Sequence, residues 1–147
     1  MKTSFLTMII FFSLTSHSVT QDFEKHRWKD RLLVLHARSF SSPELLEQLD
    51  ILHLDTAGLK ERKLVVYQIV GKAYKTGISS SGTVQTFHNS IQPDSGEFTI
   101  RLIGLDGGVK LEKHHPVPLE VLFTLIDGMP MRRAEVKRKR KDTERDN

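Results

Sequence analysis

Apolar and polar positions alternate along this chain in blocks whose spacing changes from one block to the next. Arg31 to Ala37 (RLLVLHA) is a short apolar run with charged flanks, which predicts a buried strand rather than a helix fragment. In the following stretch Leu45, Leu46, Leu49 and Leu52 recur at helical spacing and make one apolar stripe. Ser41 lies three residues before Glu44, the pattern in which two side chains cap each other's backbone amides, and Pro43 suits a first helical turn. Gly58 is placed to end the turn after this helix. Leu64 to Val70 (LVVYQIV) then carries the β-branched residues that fit a pleated, buried surface. Strand, helix and strand in this order predict a parallel pair joined by a crossover.

The C-terminal half continues the pattern after an interruption. Gly71 to Gly96 has no sustained period and reads as a long surface loop, or as a loop around a short helix near Thr83 to Ile91. Phe98 to Gly104 and Val109 to His115 flank Leu105-Asp106-Gly107-Gly108, whose glycines supply the positive φ angles of a tight hairpin. Leu119, Leu122, Phe123 and Ile126 form the stripe of a last core helix, broadened by Val121 and Leu125. Gly128 is set to end that helix and Pro130 to stop it continuing. Residues 132–147 are too charged to build a core and read as a basic tail, either disordered or a helical extension.

The N-terminus has another character. Met1-Lys2 precedes the apolar stretch SFLTMIIFFSLTS, and small Ser16 and Ser18 stand just before Val19. A cationic start, an apolar run and a small-x-small site predict a cleaved signal peptide over residues 1–18. His17, Thr20, Gln21 and Asp22 arrive too early for a membrane span, which needs about 20 apolar residues. The destination is then secreted or periplasmic. No cysteine follows the run to carry a lipid.

Composition narrows the chemistry. At 147 residues, with 38% hydrophobic and 27% charged content, the chain suits one globular domain plus short extras. It contains no cysteine, so thiol redox chemistry, Cys-ligated zinc and iron–sulfur clusters are excluded and the core has no disulfide to lean on. The formal charge of +4 resides in the tail, where eight Lys or Arg face four Asp or Glu.

The Leu-Ile-Gly-Leu-Asp-Gly-Gly-Val-Lys-Leu and Leu-Ile-Asp-Gly-Met-Pro-Met-Arg-Arg runs carry a resemblance that extends from Trp28 to Arg133. They resemble a thioredoxin-like domain of unknown function in small exported bacterial proteins. It is similar to the domain of animal sushi-repeat-containing and equarin-type matrix proteins. The resemblance implies an α/β, thioredoxin-like (peroxiredoxin-related) three-layer sandwich with a mixed central sheet, spanning residues 28–131. It also implies that the reactive cysteine of redox relatives would lie after the first strand, at the helix start. Here that stretch is Arg38-Ser39-Phe40-Ser41-Ser42-Pro43, with serine in place of cysteine. Redox members also place a cis-proline before the third strand of the unit. Gly96-Glu97-Phe98 has none, and Pro93 is too distant. No catalytic residue is carried over.

Ser41 or Ser42 with His36 could form a nucleophile and base, but helix capping already accounts for the serine. His114 and His115 are adjacent and point to opposite faces of a strand; His53 and Asp55 lack a ligand spacing, so no metal or cofactor is expected. Gly104, Gly107 and Gly108 serve turn geometry better than a phosphate cradle. Arg38, Ser41 and Ser42, at a helix start, form a candidate site for a small anion. Lys137, Arg138, Lys139, Arg140 and Lys141 form a candidate polyanion site, toward acidic glycan or lipid headgroups rather than nucleic acid. The sequence thus predicts an exported, cysteine-free, non-catalytic interaction module with an unidentified protein or anionic partner. The rival is a non-redox enzyme, such as a hydrolase, that uses Ser41 or Ser42.

Overall fold

A computed structural model describes residues 23–87 and 97–145. The expected signal segment 1–18, Pro93 and residues 88–91 of the expected short helix lie outside the described residues; 83–87, which it also included, are not helical. Strand β1 (Arg31–His36) is buried along its whole length and sits inside the sheet. Helix α1 (Pro43–His53) and short helix α2 (Thr56–Glu61) lead to β2 (Leu64–Val70), which pairs parallel with β1 in the register Leu33↔Val66. Next come β3 (Ala73–Thr76), β4 (Gln85–Thr86), β5 (Thr99–Ile103), β6 (Val109–Lys113), α3 (Leu119–Asp127) and α4 (Pro130–Arg145). The strand order is β4-β3-β2-β1-β5-β6, and every pairing except β1–β2 is antiparallel. This mixed, open α/β sandwich is the thioredoxin-like arrangement.

Strand alternation divides the core. Leu33 and Leu35 meet Leu45, Leu49 and Leu52 of α1 and Leu122 and Ile126 of α3, the larger apolar cluster. Burying each such side chain contributes about 1.5–3 kcal/mol. Leu32 and Val34 point the other way, onto Phe23, Tyr67, Ile69 and Phe87. On that second face the lead-in, with its 3-10 turn Glu24–His26, lies across the strands. Leu45, Leu49 and Leu52 of the expected α1 stripe are buried, but Leu46 is 37% exposed and Gln48 is fully buried in its stead.

Two glycines behave differently from expectation. Gly58 does not end a turn; it lies inside α2, where Asp55 Oδ1 accepts its N–H at 2.7 Å. A Cβ there would meet Asp55 and Phe123 within 3 Å, so the close approach of α2 to α3 requires glycine. Gly71 (φ +57°) turns β2 into β3, converting part of the expected loop into a hairpin.

Pro130 opens a helix instead of closing one. Only Gly128 and Met129 separate α3 from α4, and proline is comfortable in a first turn where its missing N–H is not needed. Buried arginines hold the first turns of α4. Arg31, fully buried on β1, donates to the Arg62 carbonyl at 2.9 Å and to Glu135 of α4 at 3.3 and 3.5 Å. Arg132, 6% exposed, donates to Asp127 at 3.1 Å and to Glu61 at 3.0 Å. Burial opposes charge on Asp127, but the hydrogen bonds from Arg62 and Arg132 outweigh it and hold that carboxyl below its usual range.

Candidate functional site

The C-terminal end of β1, the start of α1 and the adjoining ends of β5 and β6 enclose a cleft of about 480 Å³. It is lined by Ala37, Arg38, Ser42, Pro43, Glu44, Glu97, Phe98 and His114. Open α/β sheets commonly bind ligands outside the carboxyl ends of their parallel strands, because loops there leave a crevice. Of the three candidate residues at the helix start, Arg38 and Ser42 line this cleft and Ser41 does not.

The serines are arranged by local hydrogen bonds. Ser42 is the N-cap of α1, yet its side chain caps no helical amide; its Oγ accepts from the Ser39 N–H at 3.1 Å. Ser41 shares a hydrogen bond with Ser39 Oγ at 2.9 Å, and Ser39 Oγ in turn accepts from the Ser41 N–H at 3.2 Å. The expected reciprocal cap between Ser41 and Glu44 is therefore replaced by a compact serine turn, and Glu44 is freed to line the cleft. His36 alternates with Leu35, which packs beneath α1, so its ring falls on the opposite face of the sheet.

The cleft carries both charge signs. Arg38 stands with Glu44 and Glu97, so an anion entering at the helix start meets two carboxylates as well as a guanidinium. His114 Nδ1 is 3.2 Å from Thr99 Oγ1, which fixes the ring against β5. Glu97, Phe98 and His114 were not legible as site residues, since the fold brings them beside Ser42 from far along the chain.

Other candidates are separated by the fold. His115 Nδ1 pairs with the Pro116 carbonyl at 2.9 Å, away from the His114 contact. His53 Nδ1–H donates to the Leu49 carbonyl at 2.7 Å, and Asp55 is occupied by Gly58. Among the described residues no group of three His, Asp or Glu is placed to hold a metal ion. In the β5–β6 turn, Gly107 has φ +81° and the anion present is the chain's own: Asp106 accepts from the Gly108 N–H at 3.0 Å and from Lys110 at 2.6 Å. The Lys110 hydrogen bond, then the Gly108 amide, lower the Asp106 pKa.

A partly buried relay carries no signal in the sequence. His26 Nδ1 is 2.8 Å from Asp30 Oδ2 and its Nε2 is 2.8 Å from the Tyr67 hydroxyl. With the carboxylate accepting from Nδ1–H, Nε2 accepts from the Tyr67 O–H. Burial pushes the Tyr67 pKa up, which keeps that hydroxyl a donor. Tyr67 is 2% exposed, so the relay fastens the lead-in to β2 instead of opening on a substrate.

Lys137, Arg138, Lys139, Arg140 and Lys141 all lie exposed on α4, which starts at the end of β1 opposite the cleft. The two candidate sites are thus at opposite ends of the sheet. No helix among the described residues is long and apolar enough to cross a membrane. No solved structure matches the chain. Residues 22–135 match the family described as Domain of unknown function (DUF4174), and the chain belongs to that family.

Proposed function

We propose that this protein is an exported, non-catalytic interaction module that holds a small polar ligand or a partner's polar terminus in the cleft between β1 and α1. The observation that carries this reading is the composition of the cleft: Arg38, Glu44, Glu97 and His114 converge on a crevice where serine hydroxyls are already tied to Ser39. A hydroxyl nucleophile needs a base within hydrogen-bond reach; His36 points to the other face of the sheet, and His114, which lines the cleft with Ser42, has its Nδ1 on Thr99 Oγ1 at 3.2 Å. A mixed-charge cleft favours a ligand bearing both an acidic and a basic group over a simple anion.

Export rests on the apolar run and small-residue site of residues 1–18. The absence of cysteine is compatible with an oxidising compartment, where a free thiol would be a liability. Kinship with the extracellular animal matrix domains would agree with the same destination.

Titration of the protein with phosphate, sulfate, acidic sugars and dipeptides, followed by amide NMR, tests the site. Shifts grouped at Arg38–Glu44, Glu97 and His114 are expected with the zwitterionic dipeptides. Uniform silence across the set would discard the cleft as a ligand site. Ser41→Ala and Ser42→Ala distinguish the hydrolase reading: Ser41 does not line the cleft and its variant leaves binding intact here, whereas loss of the nucleophilic serine would abolish turnover there. N-terminal sequencing of the protein recovered from the envelope fraction tests export, with Val19 as the expected first residue.

A further inference from the structure

We infer that the end of the domain remote from the cleft docks on an anionic lipid bilayer, with α4 as the electrostatic contact and Trp28 as the interfacial anchor.

The first observation is the distribution of charge around α4. At about 100° per residue, the face opposite the docked residues Arg132 and Glu135 carries Lys137, Lys141 and Arg145, flanked by Arg133 and Arg138. The acidic residues Glu135 and Asp142 fall on the docked half. Glu144 lies within this face, between Arg133 and Lys137, and is paired with Arg140 at 3.0 Å, so the face stays cationic on balance. Arg133, Lys137 and Lys141 follow at four-residue steps, so they stand one above another along a helix about 24 Å long. The face has no large apolar side chain, so it can lie on headgroups but cannot insert.

The second observation is Trp28. It is 59% exposed, and its φ of +64° is a conformation that a bulky L-residue adopts only at a cost of order 1–3 kcal/mol. Its N–H donates to the Leu105 carbonyl at 2.8 Å, which tethers it to the β5–β6 turn. The guanidinium of Arg27 lies 5.9 Å from the ring centre. A solvent-facing indole between Arg27 and Lys29 matches the amphipathic ring and cationic flanks that settle at the headgroup level of a bilayer.

The two features share one end of the molecule. Trp28 precedes Arg31, the first residue of β1, and the side chain of Arg31 holds Glu135 of α4. The ion pairs at Arg31 and Arg132 fix the first turns of α4 on the domain, and the helix carries its remaining cations onward from that base. A flat anionic surface complements a straight basic stripe, and Trp28 adds an aromatic at the same end of the sheet. This docking is independent of the cleft and stands or falls separately.

The chain has one tryptophan, so its emission reports this surface directly. The full chain is titrated with vesicles of mixed phosphatidylglycerol and phosphatidylcholine, and with phosphatidylcholine alone as the measure of binding through the apolar N-terminal run. A blue shift, quenching by brominated acyl chains and reversal by high salt are expected on the anionic vesicles only. Each surface cation contributes about fivefold in affinity, so Lys137→Ala with Lys141→Ala together should weaken binding about 25-fold. Should that variant fail to fold, the salt titration of the unaltered chain still decides. An equal shift on neutral vesicles, or no shift on either, overturns the inference. So does tight binding to a soluble sulfated polysaccharide with no response to vesicles, which reassigns the stripe to a glycan.

Discussion

Gln48 of α1 holds the backbone of Val117 with both ends of its side-chain amide: Nε2 donates to the Val117 carbonyl at 3.1 Å and Oε1 accepts from the Val117 N–H at 2.6 Å. The amide takes the place of a neighbouring strand for a residue that has none, and it fixes the loop between β6 and α3. Gln48→Leu keeps the volume but orphans two buried backbone groups. At about 1–3 kcal/mol each, the variant should lose about 2–6 kcal/mol in urea unfolding. His114 amide signals should broaden, because the loop it borders loses its anchor.

Glu135 neutralises an arginine that has no exposure at all. Removing it in Glu135→Ala leaves Arg31 charged, buried and held only by the Arg62 carbonyl. Breaking one side of a buried pair costs about 3–5 kcal/mol; Glu135 is 21% exposed and the contacts are long, so about 2–3 kcal/mol is expected. Hydrogen exchange should show α4 amides losing protection well before those of β1.

Acid should loosen the junction of α2, α3 and α4. The folded Asp127 carboxyl titrates below its unfolded value of about 3.9, so its contribution is fully present above that pH and is lost as pH falls toward the folded pKa. The side chain is 42% exposed, which keeps the effect modest through solvent screening. Stability measured by denaturant midpoint should decline below about pH 4, and Asp127→Asn should flatten that decline while lowering stability at neutral pH.

Trp28→Gly removes a backbone penalty together with an exposed ring. Glycine adopts φ +64° freely, so thermal unfolding should show stability unchanged or raised by up to about 1 kcal/mol. A fall of several kcal/mol would mean that the indole is a structural support.

The elements with a strong period were legible. β2 occupies the residues its β-branched run marked, and the Asp-Gly-Gly turn sits between β5 and β6. Legibility failed where tertiary partners decide. Gln48 reads as the polar side of a stripe until Val117 is known to lie above it. Tyr74 and Lys75 of β3 form too short an alternation to announce a strand, and it forms because β2 offers an edge and Gly71 allows the turn. Pro130 has the same chemistry as a stop or a start, and only the Arg132 and Glu135 contacts choose between them. In the cleft, Arg38 and Ser42 were readable from their place at a helix start. Glu97 and His114 were not, because nothing local links them to α1.

The placement of β1 also governs the order in which the chain can become a protein. β1 is made before every other strand, yet Leu32 waits for Ile103 and Arg31 waits for Glu135. Until the last third has emerged from the ribosome, the central strand has one bare edge and an uncompensated cation. Such long-range closure folds slowly and cannot begin from the N-terminal half alone. A nascent chain that stays open this long remains threadable through a narrow channel, and equally exposed to proteases and to other copies of itself.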